Sequence, residues 1–317
     1  MKILVTGASG FTGHYMVDHL LALPGSDLEI FGLYKTHVPS DRNGCRYVQG
    51  DLCNRDETRA LIRSVSPDAI LHLAGINRGM LRDLLHINVL GTQNLLDAVV
   101  QERPDCRILV TGSSAEYGYA GSGPIAEDAP LRPVGAYGIS KVAEDLLARS
   151  YTSTHNLSVA VVRPFNLIGP GQPASFVCGR IVEQVLAIQA GFQEKIYLGN
   201  INSLRDFIDV RDAVSGYWQV LSHTRFEEFY TGKAVNVGSG RATSIWEILA
   251  CIEAVTKITY SIESPGDSGA DLVPTQMSDN TRIMTTSGWR PSSPLCRSLE
   301  DMLVLKKVGS QGKLHGT

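Results

Sequence analysis

Tyr137 and Lys141 sit four positions apart in Tyr137-Gly138-Ile139-Ser140-Lys141. On a helix, such residues share a face. A lysine ammonium beside a phenol favours the phenolate, and a free tyrosine titrates near 10. The pair could therefore act as acid and base on a carbonyl or an alcohol near neutral pH. The spacing alone is common on surface helices, so its weight comes from Thr111-Gly112-Ser113-Ser114-Ala115-Glu116-Tyr117-Gly118 upstream. That stretch follows an apolar strand. A hydroxyl at the carboxyl end of a parallel strand faces the binding crevice of a doubly wound sheet. Ser113 and Tyr137 could then share one substrate carbonyl oxygen, with Ser114 a candidate substrate contact.

A second group is built for phosphate. Gly7-Ala8-Ser9-Gly10-Phe11-Thr12-Gly13 follows the strand Lys2–Thr6 and opens a helix. Gly7, Gly10 and Gly13 let backbone approach a pyrophosphate, and Phe11 and Thr12 lie in the helix turn that offers it N–H groups. An ordinary strand-to-helix turn is the alternative. At the end of the second strand an NAD site usually carries a carboxylate for the ribose 2′-hydroxyl. Here Lys35 follows the strand instead. A lysine there could neutralise a 2′-phosphate, which favours NADP(H) and leaves NAD(H) possible. Asp51-Leu52 follows the next apolar stretch, where Asp51 could accept from an adenine amino group.

These residues need a rigid frame, and the pattern supplies one. Strands at 2–6, 28–34, 69–74, 107–111 and 159–163 alternate with helical stretches at 11–23, 54–65, 81–100 and 136–154. The expected fold is α/β: a Rossmann-like doubly wound parallel sheet with a smaller mixed α/β C-terminal substrate domain. Residues 1–166, with a returning segment at about 203–238, should bind the cofactor. Residues 167–202 and 239–305 should bind substrate, and 306–317 should be a flexible tail. The chain has 317 residues, 43% hydrophobic and 19% charged, with a net charge of −3. That balance offers no basic footprint for nucleic acid and no polybasic membrane patch. The start lacks a signal-peptide pattern, and no apolar run is long enough for a span. The six cysteines are widely spaced without C-x-x-C, so free thiols in a reducing cytoplasm are expected, with no disulfide and no metal site.

The glycine turn, His72-Leu73-Ala74-Gly75, Asn88, Ser113 and the Tyr137/Lys141 pair together resemble an extended short-chain dehydrogenase/reductase of the nucleotide-sugar group. The resemblance runs to about residue 305. It implies Ser113, Tyr137 and Lys141 as the catalytic set, with Lys141 also on the nicotinamide ribose. It places Leu73, Ala74 and Gly75 at the cofactor. Asn88 and Arg163 are counted with the cofactor site, Asn88 as a tie to the active-site helix. In the second half, Arg163-Pro164-Phe165-Asn166 carries the expected substrate asparagine, Asn166. Leu204-Arg205-Asp206-Phe207 carries the arginine expected to clamp a sugar-nucleotide diphosphate, Arg205, for which a planar guanidinium fork is suited. Arg180 is a further nucleotide contact.

The second-half motifs look like the GDP-mannose branch, and within it the reductases that turn GDP-4-keto-6-deoxy-D-mannose into GDP-D-rhamnose. The 4,6-dehydratases of that branch carry a glutamate two residues after the catalytic serine or threonine. Here that position is Ala115, and Glu116 falls one later. Losing that acid/base leaves ketone reduction, with C4 epimerisation as an alternative and a non-catalytic NADP-sensing scaffold as a lesser one. One departure stands out: Gly269 occupies the place of an arginine expected to grip the nucleotide, and Leu272 that of its glutamate, with Asp271 adjacent. The resemblance also implies a homodimer through the helices at 81–100 and 136–154.

Overall fold

The computed structural model describes residues 1–39, 42–264 and 272–314. The first half alternates β1 (Lys2–Thr6), α1 (Phe11–Leu21), β2 (Glu29–Tyr34), β3 (Cys45–Gln49), α2 (Arg55–Val65), β4 (Ala69–His72), α3 (Leu81–Leu84), α4 (Gly91–Glu102), β5 (Arg107–Thr111), α5 (Gly135–His155) and β6 (Ser158–Pro164). The second half holds β7 (Asn166–Ile168), α6 (Val177–Gln189), β8 (Lys195–Tyr197), β9 (Leu204–Asp209), α7 (Val210–Leu221), α8 (Phe226–Phe229), β10 (Ala234–Val237), β11 (Ala242–Ser244), α9 (Ile245–Thr256), β12 (Ser261–Glu263), α10 (Thr281–Ser287) and α11 (Leu295–Leu314). Among the described residues no helix is long and apolar enough to cross a membrane.

Seven strands form one sheet in the order β10-β6-β5-β4-β1-β2-β3, and every pairing in it is parallel. This is the expected doubly wound sheet. Its strands read as continuous apolar runs because both faces are covered. Along β1, Ile3 and Val5 join a core with Met16 and Val17 of α1 and Val214 and Tyr217 of α7. Leu4 points the other way, into a core with Ile62 of α2, Leu95 of α4 and Ala148 of α5. Strand order reverses between β1 and β4, and the crevice at such a switch point is where ligands enter. A third core joins Ile181 of α6, Ile248 of α9 and Leu299 of α11. It backs two small sheets, β11-β9-β7 and β12-β8.

Several boundaries differ from the sequence expectation for local reasons. The helix expected over 81–100 is interrupted by a π-helical turn, Leu85–Leu90, which carries Asn88. Such turns often mark functional positions. Strand β4 stops at His72 because the Leu73 and Ala74 N–H groups donate to the Thr6 hydroxyl at 3.2 Å instead of to a strand. Sequence reading assigned no element to 281–305, where α10 and much of α11 lie, and α11 extends into the stretch expected as a tail. The cysteine expectation is corrected. Cys251 of α9 and Cys296 of α11 form a disulfide, with Cα atoms 5.2 Å apart. The two helices pack side by side, and a 45-residue separation hid that from any short motif. Among the described residues, Cys45, Cys53, Cys106 and Cys178 form no disulfide.

A buried polar chain laces this core together. His72 Nδ1 lies 2.8 Å from the Thr6 hydroxyl, and His72 Nε2 lies 2.8 Å from the Thr92 hydroxyl. Burial first, then the Lys141 charge, pushes the imidazole down to about 3. The unfolded chain takes up this proton below pH ~6.5 while the folded one does not. The stability tied to His72 is therefore complete above that pH and is lost as pH falls towards 3. Between pH 6.5 and 4.5 this group should remove about 2 kcal/mol of unfolding free energy. Urea unfolding at both pH values, in wild type and His72→Gln, checks this. The variant should show a correspondingly shallower loss, and equal losses would contradict the assignment.

Candidate active site

At the carboxyl edge of the large sheet a cavity of about 980 Å³ opens between the two halves. Gly7, Gly10, Phe11, Thr12 and Gly13 form one wall. Gly7 has φ +67°, and a Cβ there would lie 2.8 Å from the Ala74 backbone. A Cβ on Gly13 would run into the Gly7 carbonyl oxygen. The turn is thus a cradle that side chains would fill. Gly10 begins α1 without a side-chain cap, which leaves the first-turn N–H groups to an anion. Leu73, Ala74 and Gly75 line the cavity opposite. These features fit the pyrophosphate of a dinucleotide.

Ser113, Ser114, Tyr137 and Lys141 line the same cavity. Ser113 caps a single 3₁₀ turn, Ser114–Glu116, and its hydroxyl accepts from the Ala115 N–H at 3.1 Å. Tyr137 lies in the first turn of α5, and Gly138 beside it lets the helix close on that turn. A Cβ on Gly138 would sit 2.7 Å from the Ala115 carbonyl oxygen. Lys141 is buried, and its ammonium donates to the Thr111 carbonyl and, at 2.5 Å, to Glu144. Burial works against that ammonium, but Glu144, Tyr137 and Glu116 together outweigh it and hold Lys141 above the ordinary lysine value.

Glu116 does not enter the cavity. Its Oε1 accepts from the Ser113 N–H at 2.7 Å, and its Oε2 lies 2.7 Å from Arg163 Nε. Arg163 also binds Asp145 Oδ2 at 2.7 Å and donates to the Tyr117 hydroxyl at 3.0 Å. Burial, then Asp145, pushes the Glu116 carboxyl well above its usual range, against the pull of Arg163. Arg163, expected among the cofactor contacts, is therefore a core residue, only 1% exposed. It is held there by Glu116, Asp145 and the Tyr117 hydroxyl. Asn88 is likewise not a lining residue. It ties the loop after β4 to α5, accepting from Ile76 N–H at 2.8 Å and donating to the Ile76 carbonyl and to Ser140.

On the substrate side, Asn166 and Arg205 line the cavity. Asn166 Nδ2 is buried without a partner among the described residues, as a donor awaiting a ligand would be. Arg205 donates to the Leu204 carbonyl at 3.0 Å. Arg180 lines a smaller adjoining pocket of about 200 Å³ that shares Ser175, Val177, Asn200 and Ile245 with the main cavity. Lys35 and Asp51 lie outside the lining and form an ion pair at 2.6 Å. Asp51 holds Lys35 above its ordinary value, so a 2′-phosphate would have to share that lysine. Leu52 is also off the lining. It packs near Gly91, and its carbonyl accepts from Asn94. Gly269 and Asp271 fall outside the described residues, and Leu272 is exposed.

The sequence reading missed several lining residues. Arg78 donates to the Ser175 carbonyl across the mouth. Gln276 donates to the Ser114 and Gly118 carbonyls, both at 2.9 Å. Asn200 and Ser203 lie on a loop without a motif. Arg78, four residues after Ala74, was in reach of the HLAG signal; nothing local marks the others. Among the described lining residues, Arg78, Lys141 and Arg205 are cations and no carboxylate is present. Such a cleft suits anionic ligands.

Residues 4–302 match the GDP-mannose 4,6 dehydratase family, and the chain belongs to that family. The GDP-6-deoxy-D-mannose reductase of Pseudomonas aeruginosa is 31% identical, over 95% of this chain and 96% of its own. The UDP-glucose 4-epimerase of Mycolicibacterium smegmatis is 27% identical, over 94% and 96%. Among solved structures, RMD from Pseudomonas aeruginosa complexed with NADPH superposes with a TM-score of 0.84 at 30% identity, covering 97% of this chain and 99% of that one.

The glycine cradle makes a direct prediction. Gly13→Ala should weaken NADPH binding at least ~10-fold, about 1.4 kcal/mol, because the turn must open to admit the methyl. Calorimetric titration measures it, with circular dichroism to show the fold retained. Unchanged affinity in a folded variant would contradict the cradle.

Proposed function

We propose that this protein reduces the C4 ketone of a nucleotide-linked 4-keto-6-deoxy sugar with NADPH, taking GDP-4-keto-6-deoxy-D-mannose to GDP-D-rhamnose. The observation that carries this reading is the position of the carboxylate beside Ser113. A 4,6-dehydratase needs an acid/base there to move protons at the carbon next to the ketone. Ala115 occupies the cavity wall instead, and Glu116 is spent on capping Ser113 and pairing with Arg163. What remains is a site for one hydride and one proton.

A reduced nicotinamide, when bound, supplies the hydride. Ser113 and Tyr137 hydrogen-bond the ketone oxygen and stabilise the alkoxide that develops on it. Tyr137 gives that oxygen its proton, and Lys141 steadies the phenol and the cofactor ribose. The Gly7–Gly13 turn takes the cofactor pyrophosphate, and Lys35 the 2′-phosphate; NAD(H) would be used where Lys35 stays with Asp51. Arg205 clamps the substrate diphosphate, with Asn166, Ser114 and Arg180 on the sugar and nucleotide. In this reading, 1–166 with 203–238 hold the cofactor, and 167–202 with 239–305 hold the substrate. Exposed Leu90 and Leu146, on the helical stretches at 81–100 and 136–154, support a homodimer through them. A cytoplasmic location goes with a supply of NADPH.

The test is turnover of a panel of nucleotide-linked 4-keto-6-deoxy sugars with NADPH and NADH, with the product C4 configuration read by NMR. Net cofactor oxidation with the GDP-linked ketone is expected, and product without net oxidation points to epimerisation. Tyr137→Phe should lose at least ~100-fold in kcat while NADPH affinity changes by less than about threefold. Near-normal reduction by that variant contradicts the assignment.

A further inference from the structure

Lys141 has a buried partner that the mechanism above does not use. Glu144 is 1% exposed and lies one helical turn beyond Lys141, its Oε2 2.5 Å from the ammonium. Its other oxygen accepts from the Thr92 hydroxyl at 3.1 Å. Thr92 meets His72, which meets Thr6, which holds the N–H groups of Leu73 and Ala74 on the cavity wall. An ammonium has three N–H donors. Two are taken by Thr111 and Glu144, and the third is left for the cavity.

A solvated i,i+3 pair would be unremarkable for a helix. This one is sealed from water, and burying two charges costs more than a surface pair returns unless the geometry has a use. The charge arithmetic around Tyr137 suggests one. A lone ammonium favours phenolate, the form needed to take a proton from an alcohol. With a carboxylate on its far side, the lysine presents a dipole, whose field falls off faster than that of a single charge. Glu116 adds to Glu144 in holding the proton on Lys141, while burial pushes the Glu144 carboxyl up against the pull of Lys141. His72 of β4 is neutral. Glu116, Asp145 and Arg163 are closed upon one another in the core. Tyr217 of α7, which also feels Tyr137, is a buried phenol whose burial keeps it protonated.

We propose that Glu144 is a positioning residue that fixes the Lys141 ammonium against Thr111 and offsets its charge, so that Tyr137 meets the substrate as a proton donor. This rests on the reduction proposed above, since reduction consumes a proton at the ketone oxygen. The same arrangement would handicap a reaction that starts by oxidising an alcohol.

The test reads Tyr137 with and without turnover. Without turnover, the NADP⁺-bound protein labelled at tyrosine Cζ is titrated by ¹³C NMR, with Tyr137→Phe to assign the signal. The midpoint in E144Q should fall by about one pH unit, a tenfold change in proton affinity. E144D keeps the charge but withdraws it by one methylene. It should give a midpoint between the two, and it carries the test if E144Q does not fold. With turnover, the high-pH fall of kcat should move down by a similar amount in E144Q and be largely restored in E144D, with the NADPH KM changed less than about threefold. Coincident NMR midpoints, or a kcat lowered equally at every pH, overturn the proposal. A shifted NMR midpoint with no ketone reduced by wild type would instead fault the reduction reading.

Discussion

Arg163 sits where three parts of the site meet, and their placement depends on it. Its guanidinium binds Asp145 on α5, the helix that carries Tyr137 and Lys141. It binds Glu116 on the turn that carries Ser113. It also bonds the Tyr117 hydroxyl, lies over the Tyr117 ring, and donates to the Glu127 carbonyl. Removing one partner from such a buried cluster typically costs about 3–5 kcal/mol, because the other charges are left uncompensated. The same contact has a chemical consequence. By drawing Glu116 into the core it leaves the cavity wall beside Ser113 without an acid. One guanidinium, paired with two carboxyl groups, thus sets both the geometry of the proposed catalytic groups and the chemistry open to them.

A second buried network, Lys141–Glu144–Thr92–His72–Thr6, runs from the active-site helix to the backbone opposite the phosphate cradle. The two networks divide the charges of the site. Arg163 is neutralised in the core, and Lys141 is neutralised on its far side only. The cavity itself retains three cations and no carboxylate among the described lining residues. A lining of that charge suits a cofactor and a substrate that both carry a diphosphate.

Much of this was legible in the sequence because its determinants are local. The Gly7–Gly13 turn, Ser113 and Tyr137/Lys141 are each set by spacing along one strand end or one helix turn. Alternating strands and helices sufficed for the parallel sheet. What was not legible depended on residues far apart in the chain. Arg163 reads as a cofactor contact until Glu116 and Asp145 are seen to enclose it. Lys35 and Asp51 read as two separate cofactor contacts until β2 and β3 bring them together as a pair. Cys251 and Cys296 show no spacing rule, and only the packing of α9 against α11 unites them. Gln276 and Asn200 reach the cavity from loops whose paths no periodicity describes.

In the proposed reduction, one hydride passes outward to the sugar ketone and none is kept by the site. The most direct measurement follows that hydride. NADPH deuterated at its transferable position is supplied with GDP-4-keto-6-deoxy-D-mannose, and the product is analysed by mass spectrometry and ²H NMR. One deuterium per product molecule is expected, at C4, with one cofactor oxidised for each. Product with altered C4 stereochemistry but no deuterium, or a dehydrated product formed without net oxidation, would contradict it.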